Sequence, residues 1–269
     1  MGSHSNSQVD QSTDDQSLHL PRLLCLHGGG TNALIFKAQC RSIRAQLGNL
    51  FRFVFVDAPY LSHAGPDVES VYAEWIPFRS WRRPGYTFGD SLHFSYTDKE
   101  EVDKIDECLA TAMKIDDEAG ATGDWAGLLG FSQGANIAAS LLRRQQTWKK
   151  HEANLVADSW PTSSLFVANF RFAVLLAGCG PLLWMRPDVL DCDELEREKH
   201  EHLHLPTVHV HGLRDSRIAM HKELLKYCQA DSARVLEWDG EHRVPIKSTD
   251  VAALANKIIN VASKTGVMI

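Results

Sequence analysis

The chain has 269 residues, 44% of them hydrophobic, and a formal net charge of −6. That length and apolar share suffice to cover both faces of a sheet in one enzyme-sized domain, and no run approaches the length of a membrane span. The absence of a basic surplus argues against binding through a nucleic-acid phosphate backbone.

In chain order, residues 1–20 come first; they are polar, rich in Ser, Asp and Gln, and lack the apolar core of a signal peptide. They read as a disordered tail, with residues 21–269 as a single domain. Strand-like runs follow near 22–27, 51–57, 125–131, 171–178, 206–211 and 234–238. Helix-like segments alternate with them near 34–47, 99–119, 133–147, 216–229 and 249–264, with Thr249-Asp250 as the N-cap of the last. This is the spacing of right-handed βαβ units, so the expected fold is α/β: an open, mostly parallel six-stranded sheet with helices on both faces.

Three stretches break the alternation: 60–97, 148–169 and 180–205. Long loops in a compact domain are commonly functional. The first carries Tyr72, Trp75, Phe78, Trp81, Tyr86, Phe88, Phe94 and Tyr96. Together they suggest an apolar acyl-binding wall, with Trp75, Phe78 and Trp81 as substrate contacts; packing of each ring onto the sheet edge is the rival reading. The third begins with Pro181, Leu182, Leu183, Trp184 and Met185 and turns highly charged between Asp191 and His204. It reads as a short lid whose apolar start, including Trp184, faces the site and whose charged remainder is a solvated helix.

The stretch with the most chemical content is Gly130-Phe131-Ser132-Gln133-Gly134, placed between the apolar run 125–129 and a helix-compatible segment from Ala135 to Leu142. A serine in a tight strand-to-helix turn is held in a strained conformation, and side chains two residues away on either side would clash, hence the glycines. A serine hydroxyl needs a base, an acid that orients the base, and an oxyanion site. His242 follows the run 234–238 within a short turn, and Asp215 follows the run 206–211, so each stands just past the carboxyl end of a strand. Asp239 and Glu241 are rival acids, but they lie too close to His242 in sequence to reach it from a separate loop. The strand Leu23 to His27 enters Gly28-Gly29-Gly30, whose amides can turn toward an anion. The expected oxyanion donors are the Gln133 amide and an amide of this cluster, most simply Gly29. A phosphate loop is the competing reading, but neither Gly-x-Gly-x-x-Gly nor Gly-Lys-Ser/Thr is completed. His27 reads as packing for the loop.

His200, His202, His204, His209 and His211 crowd together, and a strand puts His209 and His211 on one face, where Asp215 would complete a superficially zinc-like set. That reading leaves Ser132 and its glycines without a purpose, so neither a metal nor another cofactor is expected. The six cysteines, Cys25, Cys40, Cys108, Cys179, Cys192 and Cys228, show no Cys-x-x-Cys pairing. Free thiols in a reducing, cytoplasmic setting are expected.

With these residues in view, the chain from about Pro21 onward resembles the compact fungal serine hydrolases of the α/β-hydrolase superfamily. The resemblance is carried by Leu24 to Ala33 with Phe36, Asp57-Ala58-Pro59, Ala64-Gly65-Pro66, Gly130 to Ala135, His211 to Asp215, and Gly240-Glu241-His242. The order Ser132, Asp215, His242 is that of the superfamily's triad. The resemblance implies an acyl-enzyme on Ser132 and an ester or thioester substrate. Several members of the family sit in polyketide clusters, and some release a chain from the acyl carrier domain of a polyketide synthase, which is the partner implied here. A broad carboxylesterase and a non-catalytic ligand-binding version of the fold are the alternatives.

Overall fold

The computed structural model describes residues 16–66, 68–83, 98–152, 168–185 and 201–267. Six strands form one wholly parallel sheet: β1 (Arg22–Leu26), β2 (Arg52–Val56), β5 (Trp125–Phe131), β6 (Phe172–Leu176), β7 (Thr207–Gly212) and β8 (Ala233–Trp238). Their order across the sheet is β2-β1-β5-β6-β7-β8. The chain therefore runs outward from β1 to β2 and returns to the other side of β1 at β5. Loops leaving β1 and β5 diverge at this switch point, and the crevice between them is where open α/β sheets assemble their sites.

Successive side chains on each strand point to opposite faces, which divides the core in two. Leu24 and Leu26 of β1 and Ala173 and Leu175 of β6 pack with α4 (Lys99–Glu118), α5 (Gln133–Glu152) and Leu224 of α6 (Ile218–Lys226). Leu23 and Cys25 of β1 and Phe172 and Val174 of β6 pack instead with α1 (Ala33–Gln39), α2 (Arg41–Leu47) and α7 (Ser248–Lys264). Burial of both faces is why these strands read as continuous apolar runs. At the amino end of the sheet, Arg22 and Arg52 both reach the buried Asp116 of α4.

Several expectations need correction. The helix expected over 34–47 is two helices, because the backbone turns at Cys40 (φ −82°, ψ 7°), which closes α1 and opens α2. The last helix starts at Ser248 behind Lys247, so Thr249 and Asp250 lie inside its first turn; Asp250 there complements the positive end of the helix dipole. Ordered structure begins before Pro21: Ser17 Oγ accepts from Arg52 Nη1 (2.7 Å) and Leu18 O accepts from the Thr122 amide (2.7 Å). Residues 1–15 of the expected tail lie outside the described residues. The loop after Tyr60 contains a small antiparallel pair, β3 (Tyr60–Leu61) and β4 (Arg79–Ser80), with the single-turn α3 (Glu69–Tyr72) between them.

Of residues 181–185, expected to face the site, Leu182, Leu183, Trp184 and Met185 are buried on the α5 side instead. Asn136 Nδ2 donates to Cys179 O (2.6 Å) and Pro181 O (2.7 Å), and the Leu183 amide donates to Ser140 Oγ (2.9 Å). These bonds satisfy the loop backbone and hold its apolar side chains to the helix. Of the charged remainder expected as a helix, Asp191 to His204, residues 191–200 lie outside the described residues, as do Tyr86, Phe88, Phe94, Tyr96 and Cys192, while 201–204 are not helical and Leu203 forms an isolated bridge with Cys228. Among the described residues, Cys25, Cys40, Cys108, Cys179 and Cys228 are free thiols, and no helix is long and apolar enough to cross a membrane.

Candidate active site

Ser132 directly follows β5 with φ 52°, a left-handed conformation costly for a residue with a side chain. Its amide is spent on Leu176 O of the neighbouring strand (2.8 Å), which holds the turn to the sheet edge. A Cβ on Gly130 would meet the Ala135 Cα at 2.5 Å, and one on Gly134 would meet Leu26 O at 2.2 Å. The two glycines thus let α5 start flush against β5 and β1.

His242 and Asp215 come from the loops after β8 and β7, brought together because Gly212 packs on Gly240; a Cβ there would approach Gly240 O at 2.6 Å. His242 Nδ1 lies 2.6 Å from Asp215 Oδ2, and its Nε2 lies 2.9 Å from Ser132 Oγ. A carboxylate only accepts, so Nδ1 carries the proton and Nε2 is left to accept from the serine hydroxyl. Asp215 is fully buried, and its Oδ1 accepts the Arg217 amide (2.8 Å). Burial lowers the His242 pKa below the usual histidine value, and the Asp215 charge opposes that shift. The rival acids stay at the surface: Asp239 pairs with Arg214 (2.8 Å) and Glu241 with Arg243 (2.6 Å).

The glycine loop after β1 is braced from three sides. Gly30, at φ 73°, sits so close to the Gly65 amide that a Cβ would come within 2.1 Å of it. β4 bonds the loop through Gly30 N–H to Arg79 O (2.9 Å) and Arg79 N–H to Thr31 O (2.7 Å). His27 is fully buried and accepts the Ala58 amide at Nε2 (3.0 Å), so its proton is on Nδ1, 2.7 Å from Gly28 O. Burial pushes its pKa down to about 4, which keeps this packing role neutral. Neither the Gly29 nor the Gln133 amide finds a protein acceptor among the described residues. The Gln133 side chain, which the sequence reading did not use, accepts the Trp81 amide (2.8 Å) and Ser80 Oγ (3.1 Å), tying β4 to the elbow.

Above Ser132 lies an open cleft of about 700 Å³. Phe131, Ser132 and His242 belong to its lining, together with Val68, Val71 and Tyr72 from the α3 region and Val244 and Ile246 from the loop after β8. The expected aromatic contacts are elsewhere. Trp81 has no exposed surface; its Nε1 donates to His27 O (2.8 Å) and its ring packs against His27, because a buried indole N–H needs an acceptor and this carbonyl provides one. Trp184 is buried beside α5 with Arg143 over its ring. Trp75 packs edge-on against Tyr72, its carbonyl accepting from Asn32, while the Phe78 carbonyl accepts the Ser62 amide. Neither residue is among the cleft's lining, to which the described part of that loop contributes the aromatic Tyr72.

His209 and His211 do not join Asp215 in a ligand set: His209 is buried against Thr207 Oγ1 (3.1 Å). The one group with metal-ligand spacing among the described residues is Asp215, His221 and His242, where Asp215 and His242 are already bonded to each other.

The profile described as "Serine hydrolase (FSH1)" matches residues 17–254, most of the chain. The chain belongs to the FSH1 serine hydrolase family. It is accordingly a hydrolytic enzyme. Among its relatives, a "Probable esterase" of Aspergillus terreus is 50% identical over 250 residues, 93% of this chain and 92% of that protein. "Esterase pigG" of Monascus ruber is 47% identical over 284 residues, covering 97% and 98% of the two chains. Among solved structures, Arabidopsis thaliana SOBER1 superposes with a TM-score of 0.50 at 15% identity, over 90% of this chain and 98% of that one. At that identity the likeness concerns the α/β-hydrolase fold alone.

Proposed function

We propose that this FSH1 family member is an esterase or thioesterase that works through an acyl-enzyme on Ser132, and that its natural substrate is a polyketide or similar acyl chain on a synthase carrier domain. The observation that carries the reading is the unbroken line from Asp215 Oδ2 through the His242 ring to Ser132 Oγ. As Ser132 Oγ bonds to the acyl carbon, its proton passes to His242 Nε2, and Asp215 stabilises the imidazolium. The carbonyl oxygen becomes anionic, and the amides of Gly29 and Gln133 are its donors. When the intermediate collapses, His242 returns the proton to the departing thiol or alcohol. Water then attacks the acyl-enzyme by the same route and releases the acid.

The cleft volume supports a substrate larger than acetyl, since small-molecule sites span roughly 300–1,000 Å³, and Val68, Val71, Tyr72, Val244 and Ile246 give it apolar walls. Free buried thiols support a reducing compartment, the cytoplasm.

The test is hydrolysis of matched acyl-pantetheine thioesters and oxygen esters of increasing chain length, and of the same acyl groups loaded on a carrier domain, with Ser132→Ala as control. Preference for long acyl groups on the carrier supports the reading. A flat profile with equal turnover of short oxygen esters replaces it with a broad carboxylesterase.

A further inference from the structure

Asp215 Oδ2 has a second histidine neighbour that the proposed mechanism does not use. His221 Nε2 lies 3.2 Å from the same oxygen that faces His242. His221 belongs to α6, whose first residue, Ile218, comes three positions after Asp215, and it shares the buried face of that helix with Leu224. Its side chain has no exposed surface, and neither ring nitrogen makes a well-aligned hydrogen bond among the described residues. Two buried polar atoms left this way are destabilising unless the site uses one of them. Besides Asp215, the groups facing the ring are His211, with centroids 5.5 Å apart, His242 at 6.1 Å, and the Arg217 charge. Burial is the largest influence on His221 and holds its pKa well below the ordinary histidine value, so the ring is neutral when the enzyme works.

A neutral imidazole carries one N–H, and among these neighbours the Asp215 carboxylate is the charged acceptor, with Oδ2 3.2 Å from Nε2. We infer that His221 is a positioning residue for the catalytic acid: its Nε2–H donates to Asp215 Oδ2 and shares that oxygen with His242 Nδ1–H. The inference rests on the triad reading above. With the Arg217 amide on Oδ1, the carboxylate then has a donor fixing each oxygen besides His242, so it cannot rotate as His242 gains and loses its charge. His221 also draws off part of the negative charge that would otherwise raise the His242 pKa, and so keeps Nε2 available as a base.

Two substitutions separate donation from packing. His221→Phe keeps a ring in the space and removes the N–H; His221→Gln gives up the ring and retains an N–H donor of similar reach. Active sites are first titrated with a fluorophosphonate, so that failure of Ser132 to react in the unmodified enzyme indicts the triad reading and not this one. Loss of a hydrogen bond to a charged group should lower kcat in the Phe variant by about tenfold or more, with KM little changed, while Gln restores most of it. The acid limb of the pH profile should move to higher pH in the Phe variant alone. Full activity and an unmoved limb in the Phe variant, with loss in the Gln variant, would mean that His221 only fills space. Should neither variant fold, ¹⁵N spectra of the unmodified enzyme decide: a neutral ring protonated on Nε2 supports the assignment, and one protonated on Nδ1 overturns it.

Discussion

Replacing Asp215 by Asn exchanges one carboxylate oxygen for an NH₂ group and should cost about four orders of magnitude in kcat, the penalty for a triad whose base is locked in the wrong tautomer. The Asn oxygen can keep the Arg217 amide that Oδ1 now accepts at 2.8 Å, so the side chain stays in place. Its amide nitrogen then faces His242 Nδ1, where a carboxylate oxygen now sits at 2.6 Å. An NH₂ group there can only donate, which forces the imidazole proton onto Nε2. A protonated Nε2 cannot accept from Ser132 Oγ; across the 2.9 Å contact it can only donate to the hydroxyl, which leaves the serine without a base. KM should change little, because Asp215 is buried beneath His242 and absent from the cleft lining. The matched control is Asp239→Asn, whose side chain is 84% exposed and paired with the exposed Arg214, so its effect should stay within about twofold. Steady-state hydrolysis of one activated ester by both variants is the assay. Full activity in Asp215→Asn, or a large loss in Asp239→Asn, would refute the assignment of the acid.

Activity should also fall on the acid side with a midpoint below pH 6.5, the ordinary histidine value, because burial lowers the His242 pKa and only the neutral ring accepts the serine proton; a kcat/KM profile against pH reads this directly. Trp81→Ala should destabilise the fold by about 3–5 kcal/mol, seen as a lower Tm, and reduce turnover of short and long acyl groups alike, since the ring is core and not cleft. Tyr72→Ala or Val71→Asp should instead flatten the chain-length profile, which in the unmodified enzyme rises up to about fourfold per methylene until the cleft is full. Gln133→Ala leaves the Trp81 amide without its acceptor, so both Tm and kcat should drop, by an amount equivalent to about 1–3 kcal/mol in each measurement.

The inner strands β1, β5 and β6 were legible because burial on both faces makes each a short apolar run with a clear boundary, whereas the edge strands β2 and β8 are only partly buried. The elbow was legible for the opposite reason: Gly130 and Gly134 are required by backbone approaches of about 2.5 Å or less, and such a demand shows in residue type. Trp81 was misread because a tryptophan that fills a core and one that walls a cleft look alike in sequence. Trp81 is distinguished only by His27 O and Gln133 Oε1, acceptors 54 and 52 residues away. The break at Cys40 carries no Gly or Pro to mark it. His221 was missed although it left a trace: a histidine three residues before the buried Leu224, on the inward face of a helix that starts just after Asp215. A polar residue on an apolar stripe asks for a partner, and the Asp215 carboxylate approaches this one to 3.2 Å.

The central claim is that Ser132 is the nucleophile, and the most direct measurement is to trap it. Brief reaction of the purified protein with a fluorophosphonate or a slowly deacylating ester, followed by peptide mass spectrometry, should place a single covalent adduct on Ser132, in the peptide containing Gly130 to Gly134. The adduct should be absent in Ser132→Ala and should form much more slowly in Asp215→Asn. An adduct on any other residue, or turnover that survives Ser132→Ala at an undiminished rate, would contradict the account.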